Sequence, residues 1–522
     1  MAQPGPAPRP CVRLAGLAGA ALLACLPALP ARPARADEAL QQRLEREPAA
    51  AVALAVAAQR ASHDSLLWIG LGHVARFSCD LEAAHACATE ALRRAPLSPD
   101  AHALQAEVLL LEARAGEALH ATARALACPG GRDSASLWRV RALALVELRR
   151  HAEAREAAAR ACALDPGDAR ALSALARAAY HLRDMDAARA AYRLAVAIDP
   201  RTEEANLRLG QGFGPPAEDR PWEQGASREA WQAGMEALEA GEAARALEWL
   251  EPLAAREPGH FAWRLALGNA LVLRRRQQET HPAGVHEARA AYALLPAPEV
   301  PGLEQVLPDA ARLSPARRHA LCVAAAPMRP WWPALVRAGA RHDLLAPGEL
   351  LTDRDERAWL ASRLTFDGRR YAHLRGSGGL HGATGVEKLD EARDLGFHTL
   401  AHELAHQLLA YGLPPGSVAR VKALYARAVA EDRCLDAYAA SDVDEYFAQG
   451  YEAFISHAKR GCLKETERHV RAALRLRDPA LYDFLVEHLD LSHEAPEAMA
   501  RFAAALDGAG REPGPVGAEP AR

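Results

Sequence analysis

Small and apolar residues recur along the first half of the chain at a fixed interval. Between Arg170 and Pro200, residues Ala176, Ala188, Tyr192, Ala195 and Pro200 fall at positions 8, 20, 24, 27 and 32 of a 34-residue frame. One frame earlier, Trp138, Ala142, Ala154, Ala158, Ala161 and Pro166 stand in equivalent places. Trp68, Leu71, Gly72, Ala84, Ala88, Ala91 and Pro96 make a further copy, and Ala106 and Ala118 mark a weaker one between them. Each frame is one unit of an internal repeat, with small residues at positions 8 and 20, large ones at 4, 7 and 24, and Pro at 32 as a stop.

This pattern resembles the tetratricopeptide repeat, and the resemblance implies antiparallel helix pairs stacked into a solenoid. Four units are expected over roughly 65 to 202, preceded by an amphipathic capping stretch at 37–62. Leu207–Gln224, which holds Gly212-Phe213-Gly214-Pro215-Pro216, reads as a break. A further unit carries Gly234, Ala246, Leu250 and Pro258, and a degenerate last one runs through Gly268 and Ala288 with a longer loop at Gln277–Val285. Such solenoids hold peptide or protein segments on their concave face, so a protein partner is expected on residues 37–295. A rigid spacer that binds nothing is the other reading.

Past Pro296-Ala297-Pro298 and Pro301 the repeat is lost, and 303–365 reads as short helices and turns. Leu364–Tyr371 is strand-prone, with Asp367-Gly368 as a hairpin turn. Arg375-Gly376-Ser377-Gly378-Gly379-Leu380 follows as a loop that lets backbone pass close to a neighbour. It lacks the GK[ST] spacing of a phosphate-binding loop, and an edge strand beside it suits an extended peptide instead. Helices are expected again over Glu465–Leu476 and Pro479–His488, and Gly508–Arg522 has the composition of a disordered tail.

Composition agrees with packed helices: half of the 522 residues are hydrophobic but only 5% are aromatic, and alanine is abundant. The length suggests about two to four domains. The net charge of −4 is spread over both signs, which argues against nucleic acid as a partner. Arg9 and Arg13, the apolar run Leu14–Leu29 and Ala34-Arg35-Ala36 form a secretory signal peptide over 1–36, with cleavage before Asp37. The protein is therefore expected to be exported, periplasmic or extracellular. Leu22-Leu23-Ala24-Cys25 resembles a lipobox, and lipidation at Cys25 is the one route to a membrane, as an anchored lipoprotein. The cysteines show no CxxC spacing; Cys434 with Cys462 is the one pair nominated for a disulfide.

The chemistry centres on His402-Glu403-Leu404-Ala405-His406. On a helix His402 and His406 lie one turn apart on one face, so both imidazoles can reach one metal ion while Glu403 points at the metal-bound water. Zinc in a catalytic site takes a third protein ligand and keeps a fourth position open. Asp442–Ile455 supplies the candidates, with Glu445, Gln449 and Glu452 on one helix face. Glu452 is read as a support for a histidine or as an alternative ligand. His398 is read as a support or as solvent-exposed, His457 as an assisting or surface group, and His373 and His381 as substrate-side or surface groups.

His402-Glu403-Leu404-Ala405-His406-Gln407-Leu408, with Asp436–Asp442 and Glu445-Tyr446-Phe447-Ala448, resembles the gluzincin metallopeptidases. The nearest likeness is to the bacterial Mlc-titration-factor peptidases and the catalytic domain of anthrax lethal factor, over roughly 365 to 460. The resemblance implies Zn2+ held by His402, His406 and Glu445, with Glu403 as general base and Tyr438 as the oxyanion donor. The fold expected from all this is mostly α: a tetratricopeptide-repeat α-solenoid followed by an α+β zincin-like metallopeptidase domain over 300–508 and a tail over 509–522. The function expected is an exported zinc peptidase whose repeats position a protein partner. The alternative is a protein-binding scaffold whose peptidase-like domain is inactive or purely structural.

Overall fold

The computed structural model describes residues 65–77, 81–111, 114–213, 225–365, 369–435, 438–459 and 469–507. The signal peptide expected over 1–36 with Cys25, the capping stretch expected at 37–62, the turn expected at Asp367-Gly368, Cys462 and the tail expected over 509–522 lie outside these residues. The described chain is mostly helical and divides into two compact units, Met1–Gly167 with Gln278–His281, and Asp168–Gln277 with Pro282–Arg522.

Among the described residues the first unit contains three helix pairs: α1 Ser65–Phe77 with α2 Leu81–Arg94, α3 Pro99–Leu111 with α4 Ala115–Ala127, and α5 Ala135–Glu147 with α6 His151–Leu164. Its seams are built of alanine. Ala142 on α5 and Ala154, Ala158 and Ala161 on α6 are wholly buried, as frame positions 8, 20, 24 and 27 require. Arg149 turns the chain between α5 and α6 with a left-handed φ of 60°.

The second unit opens with a like pair, α7 Ala169–His181 and α8 Met185–Ile198. Asp168 caps α7 by accepting from Arg170 N and Ala171 N, and Arg183 repeats the left-handed turn at φ 62°. There follow α9 Glu203–Arg208, a π turn over Leu209–Phe213, and the pair α10 Gly225–Ala240 and α11 Ala243–Arg256. The break expected at Leu207 is therefore helical as far as Phe213, because Phe213 is buried among Tyr180 and Tyr192 with edge-on ring contacts. Helix α12 is a single run of 32 residues, Phe261–Tyr292. The loop expected at Gln277–Val285 is a correction: both flanks of that stretch are anchored, Gln277 by its amide on Gly241 O and Val285 by full burial, and helix joins them.

Beyond α12 come α13 Leu303–Val306, α14 Pro315–Ala325 and α15 Trp332–Ala338, then strand β1 Arg341–Leu345, which the sequence pattern did not reveal. Strands β2 Gly376–Ser377 and β3 His381–Gly385 complete a three-stranded sheet in the order β1-β3-β2. β1 runs parallel to β3 (Arg341 opposite His381), and β2 runs antiparallel to β3 (Ser377 opposite Ala383), so β2 is an edge. The remaining helices are α16 Lys388–Leu395, α17 Thr399–Gln407, α18 Pro415–Ala430, α19 Val443–Ile455, α20 Arg471–Arg477, α21 Pro479–His488 and α22 Pro496–Asp507. A core from Ala288 to Leu506 holds them, with Tyr446, Phe447, Tyr451 and Phe454 of α19 almost wholly buried. Each such ring contributes about 2–3 kcal/mol of apolar burial. Buried Arg375 grips Glu387 and the carbonyls of Leu345, Ala346 and Glu349, locking the sheet to α16. Among the described residues no helix is long and apolar enough to cross a membrane.

Candidate metal centre

Helix α17 buries Leu400, Ala401, Leu404 and Ala405 and turns His402 and His406 toward a cavity of about 600 Å³. It packs on α19 on one side and on β3 on the other. On α19, Asp442 is the N-cap and accepts from Asp444 N and Glu445 N, both at 2.9 Å. That cap fixes the first turn and places Glu445 at its third position, where the helix dipole favours a carboxylate. Two independent elements thus aim three side chains at one point.

The atoms meet closely. His402 Nε2 and His406 Nε2 are 3.2 Å apart, and Glu445 Oε2 lies 3.2 and 3.5 Å from them. A tetrahedral zinc with ligand bonds of about 2.0–2.1 Å sets its ligand atoms roughly 3.3–3.4 Å apart, so the donor set fits that ion without rearrangement. Glu445 Oε2 is buried with no hydrogen-bond partner of its own. A single proton could bridge the two ring nitrogens, whereas a cation satisfies all three atoms. Among the described residues this is the one His/Cys/Asp/Glu cluster with metal-holding geometry.

The electrostatics follow. Burial would raise the Glu445 carboxyl, but close contact and charge from His402 and His406 hold it well below the usual carboxylate range. Glu403, buried beside them, goes the other way: desolvation pushes its carboxyl up. The Tyr438 hydroxyl donates to Glu445 Oε1 at 2.9 Å, and burial together with the Glu445 charge pushes the phenol upward.

The edge strand comes very near. A Cβ on Gly376 would overlap Glu403, and one on Gly378 would stand 2.6 Å from His406 Cβ. Gln407, next after the second histidine, donates to Gly379 O at 2.8 Å and to Arg341 O at 3.0 Å, and accepts at 3.2 Å from buried His342. Neither Gln407 nor His342 stood out in the sequence; a polar residue on the apolar flank of a metal helix was the available signal. Arg369, Thr365 and Gln211 also line the cavity and were missed, since they lie outside the motif.

His402, Glu403, His406, Tyr438 and Glu445 are therefore brought together, and the other candidates are not. Glu452 is buried in an ion pair with Lys459 and accepts from His398 N at 2.9 Å, which removes it as an alternative ligand or a support of a histidine ring. His398 is buried rather than exposed; it caps α17 and stacks on Tyr292 with ring centres 6.0 Å apart. His373 is also buried, stacked on Phe261 at the start of α12 with ring centres 4.6 Å apart. Gln449, His457 and His381 do not line the cavity. Cys434 is buried, and its nominated partner Cys462 lies outside the described residues.

Comparison with known proteins bears on the helix pairs. The model of the tetratricopeptide repeat family matches residues 69–135 and 139–201. These stretches are tetratricopeptide repeats. Similar solved structures include YrrB, described as a TPR protein with an unusual peptide-binding site, at 19% identity over 41% of this chain and 95% of that one, TM-score 0.25. PilF of Pseudomonas aeruginosa has 19% identity over 37% and 92%, TM-score 0.27, and the TPR protein TTC0263 of Thermus thermophilus has 18% over 40% and 100%, TM-score 0.28. No curated protein matches the chain. The tetratricopeptide family implies a protein-interaction scaffold, in keeping with the partner expected on the repeats.

Proposed function

We propose that the chain is an exported, zinc-dependent peptidase whose tetratricopeptide repeats hold a protein partner. The reading is carried by one observation: His402 Nε2, His406 Nε2 and Glu445 Oε2 converge at 3.2–3.5 Å, the spacing of ligands around one ion. His402, His406 and Glu445 would hold the zinc, which when bound supplies an acidified water and a Lewis acid for the scissile carbonyl. Glu403, its carboxyl pushed up by burial, accepts the water proton and delivers it to the leaving amine. The Tyr438 hydroxyl, on Glu445 Oε1 at rest, is the donor within reach of a developing oxyanion. The edge strand Gly376–Ser377 offers main-chain groups to an extended peptide.

The test is metal analysis of the purified full chain with and without Glu403→Gln. One zinc per chain in both, with peptide cleavage only in the unsubstituted protein, is expected. Absence of stoichiometric zinc refutes the reading. Zinc without hydrolysis of any peptide in a broad library favours the alternative, a repeat scaffold with a structural metal domain. Export is tested separately by the mature N-terminus: Asp37 unmodified, or Cys25 with lipid.

A further inference from the structure

The amide of Gln407 joins the helix of the candidate ligands to the turn that ends the edge strand. Its Nε2 donates to Gly379 O at 2.8 Å and to Arg341 O at 3.0 Å, with Leu380 O close by at 3.3 Å. This amide cannot turn over. Its Oε1 faces His342 Nδ1 at 3.2 Å, and the other ring nitrogen lies 2.8 Å from the Thr384 hydroxyl. With Nε2 committed to carbonyls, Oε1 must accept, so His342 carries its hydrogen on Nδ1 and takes the Thr384 hydroxyl on Nε2. Gln407 and His342 are wholly buried. A Cβ on Gly382 would stand 2.7 Å from His342 Nδ1 and 3.2 Å from Gln407 Nε2, so glycine there leaves room for the pair.

What the amide holds is the strand that faces the cluster. Residues 376–379 line the cavity, and Gly378 rests on the His406 ring, where a Cβ would stand 2.8 Å from Cγ. Gly385 N donates to Arg375 O at 2.9 Å, which makes Arg375 and Gly385 a hydrogen-bonded pair of the antiparallel ladder. The next pair, Gly376 with Thr384, is then a non-hydrogen-bonded one, and Gly376 turns its N–H and C=O away from β3 toward the outer edge. One donor and one acceptor therefore stand beside Glu403, whose carboxylate a Cβ on Gly376 would overlap. An extended segment paired there lies along the cluster at a distance fixed by how closely β2 sits on α17. The Gln407 bonds set that closeness from within α17 itself.

We infer that Gln407 is a positioning residue: by clamping the Gly379–Leu380 turn to α17, it sets where an extended peptide paired to Gly376 passes the His402–His406–Glu445 cluster. The inference rests on the peptidase reading above and deepens it. The substrate class it names is an extended backbone, recognised through main-chain N–H and C=O.

The test uses the full chain loaded with zinc and compares a long fluorogenic peptide with a blocked dipeptide carrying the same cleaved bond. In the unsubstituted protein the long peptide has the higher kcat/KM. A methyl on the one backbone nitrogen that faces Gly376 O lowers it about five- to tenfold, the size of one main-chain hydrogen bond, while methyls on the adjacent nitrogens cost little. Gln407→Met, close in volume but without a donor, loses most of the long peptide's advantage and most of the methyl's effect. His342→Phe keeps Gln407 but frees its amide to turn over, and loses part of both. Cobalt in place of zinc reads the cluster itself, and its visible absorption stays the same in both variants. The methyl scan and His342→Phe carry the test on their own if Gln407→Met does not fold. Long and short peptides that fall by the same factor, a shifted cobalt spectrum, or a methyl scan in which no nitrogen stands out overturns the inference and leaves the peptidase reading standing. No cleavage of either peptide by the zinc-loaded unsubstituted chain overturns both.

Discussion

Gly376→Ala separates the metal from the chemistry. A methyl at this position would overlap a Glu403 carboxylate oxygen and stand 3.1 Å from Glu403 Cδ and 3.4 Å from Cγ. Carbon atoms in contact prefer about 3.5–4.0 Å, so the carboxylate must move by roughly half to one ångström. Gly376 has no positive φ, and alanine fits its extended backbone. The obstacle is the end of a flexible side chain, so the fold should accommodate the change for about 1 kcal/mol or less. A displacement of about 1 Å in a proton-accepting group costs on the order of a hundredfold in rate. The expected outcome is unchanged zinc content and melting temperature with kcat down about a hundredfold. Gly378→Ala makes the contrast, because its methyl meets His406 Cβ at 2.6 Å, next to backbone that cannot swing aside. There zinc affinity and thermal stability fall together. Full turnover in Gly376→Ala, or loss of zinc from it, would refute the placement of Glu403 under the edge strand.

Tyr438→Phe removes the hydroxyl that now rests on Glu445 and should lower kcat about 10²–10³-fold with a small change in KM; wild-type rates would exclude the phenol from the reaction. Asp394→Asn breaks a pair in which Arg289 donates to the Asp394 carboxylate at 2.6 and 2.8 Å. Urea denaturation should show a loss of about 2–3 kcal/mol, below the range for a fully buried pair because Asp394 keeps 13% of its side-chain exposure. Acid should destabilise the metal-free protein, since burial lowers His342 and His373 to about 4. As pH falls below the ordinary imidazole value, the unfolded chain takes up protons that the folded chain refuses. This stability is complete above about pH 6.5 and is lost toward pH 4, by up to about 3 kcal/mol per group. An unfolding midpoint that stays level between about pH 7 and 4.5 would show that these rings are not held neutral.

The sequence revealed what depends on spacing along one helix. The 34-residue frame placed the helix pairs because each frame buries the same small residues, as Ala142, Ala154 and Ala158 show. The convergence of the three candidate ligands was legible for the same reason: one turn separates His402 from His406, and Glu445 stands three residues after the capping aspartate. What stayed hidden depends on distant partners. Glu452 shares a face with Glu445 in sequence, yet Lys459 and the His398 amide draw its carboxylate away. His373 reads as a loop residue until Phe261, more than a hundred positions earlier, stacks on it. Strand β1 carries His342 and Asp343 where a buried strand normally carries apolar residues. The polar pair is tolerated because Gln407, Thr384 and Arg357 satisfy it.

The second unit is likewise held by distant partners. Helices α7 to α12 continue the pattern of paired helices, but residues from them complete the surroundings of the metal cluster. Gln211 lines the cavity, Arg289 anchors α16 through Asp394, and Leu207, Leu265 and Val272 bury Leu395 against Phe397. Helix α16 leads through Gly396 and His398 directly into α17, so the position of His402 is set in part by side chains that precede the sheet in the chain. A change in how α12 packs would be passed to the histidines through one short rigid connection. The helices that read as repeats are in this unit part of the wall and footing of the candidate site.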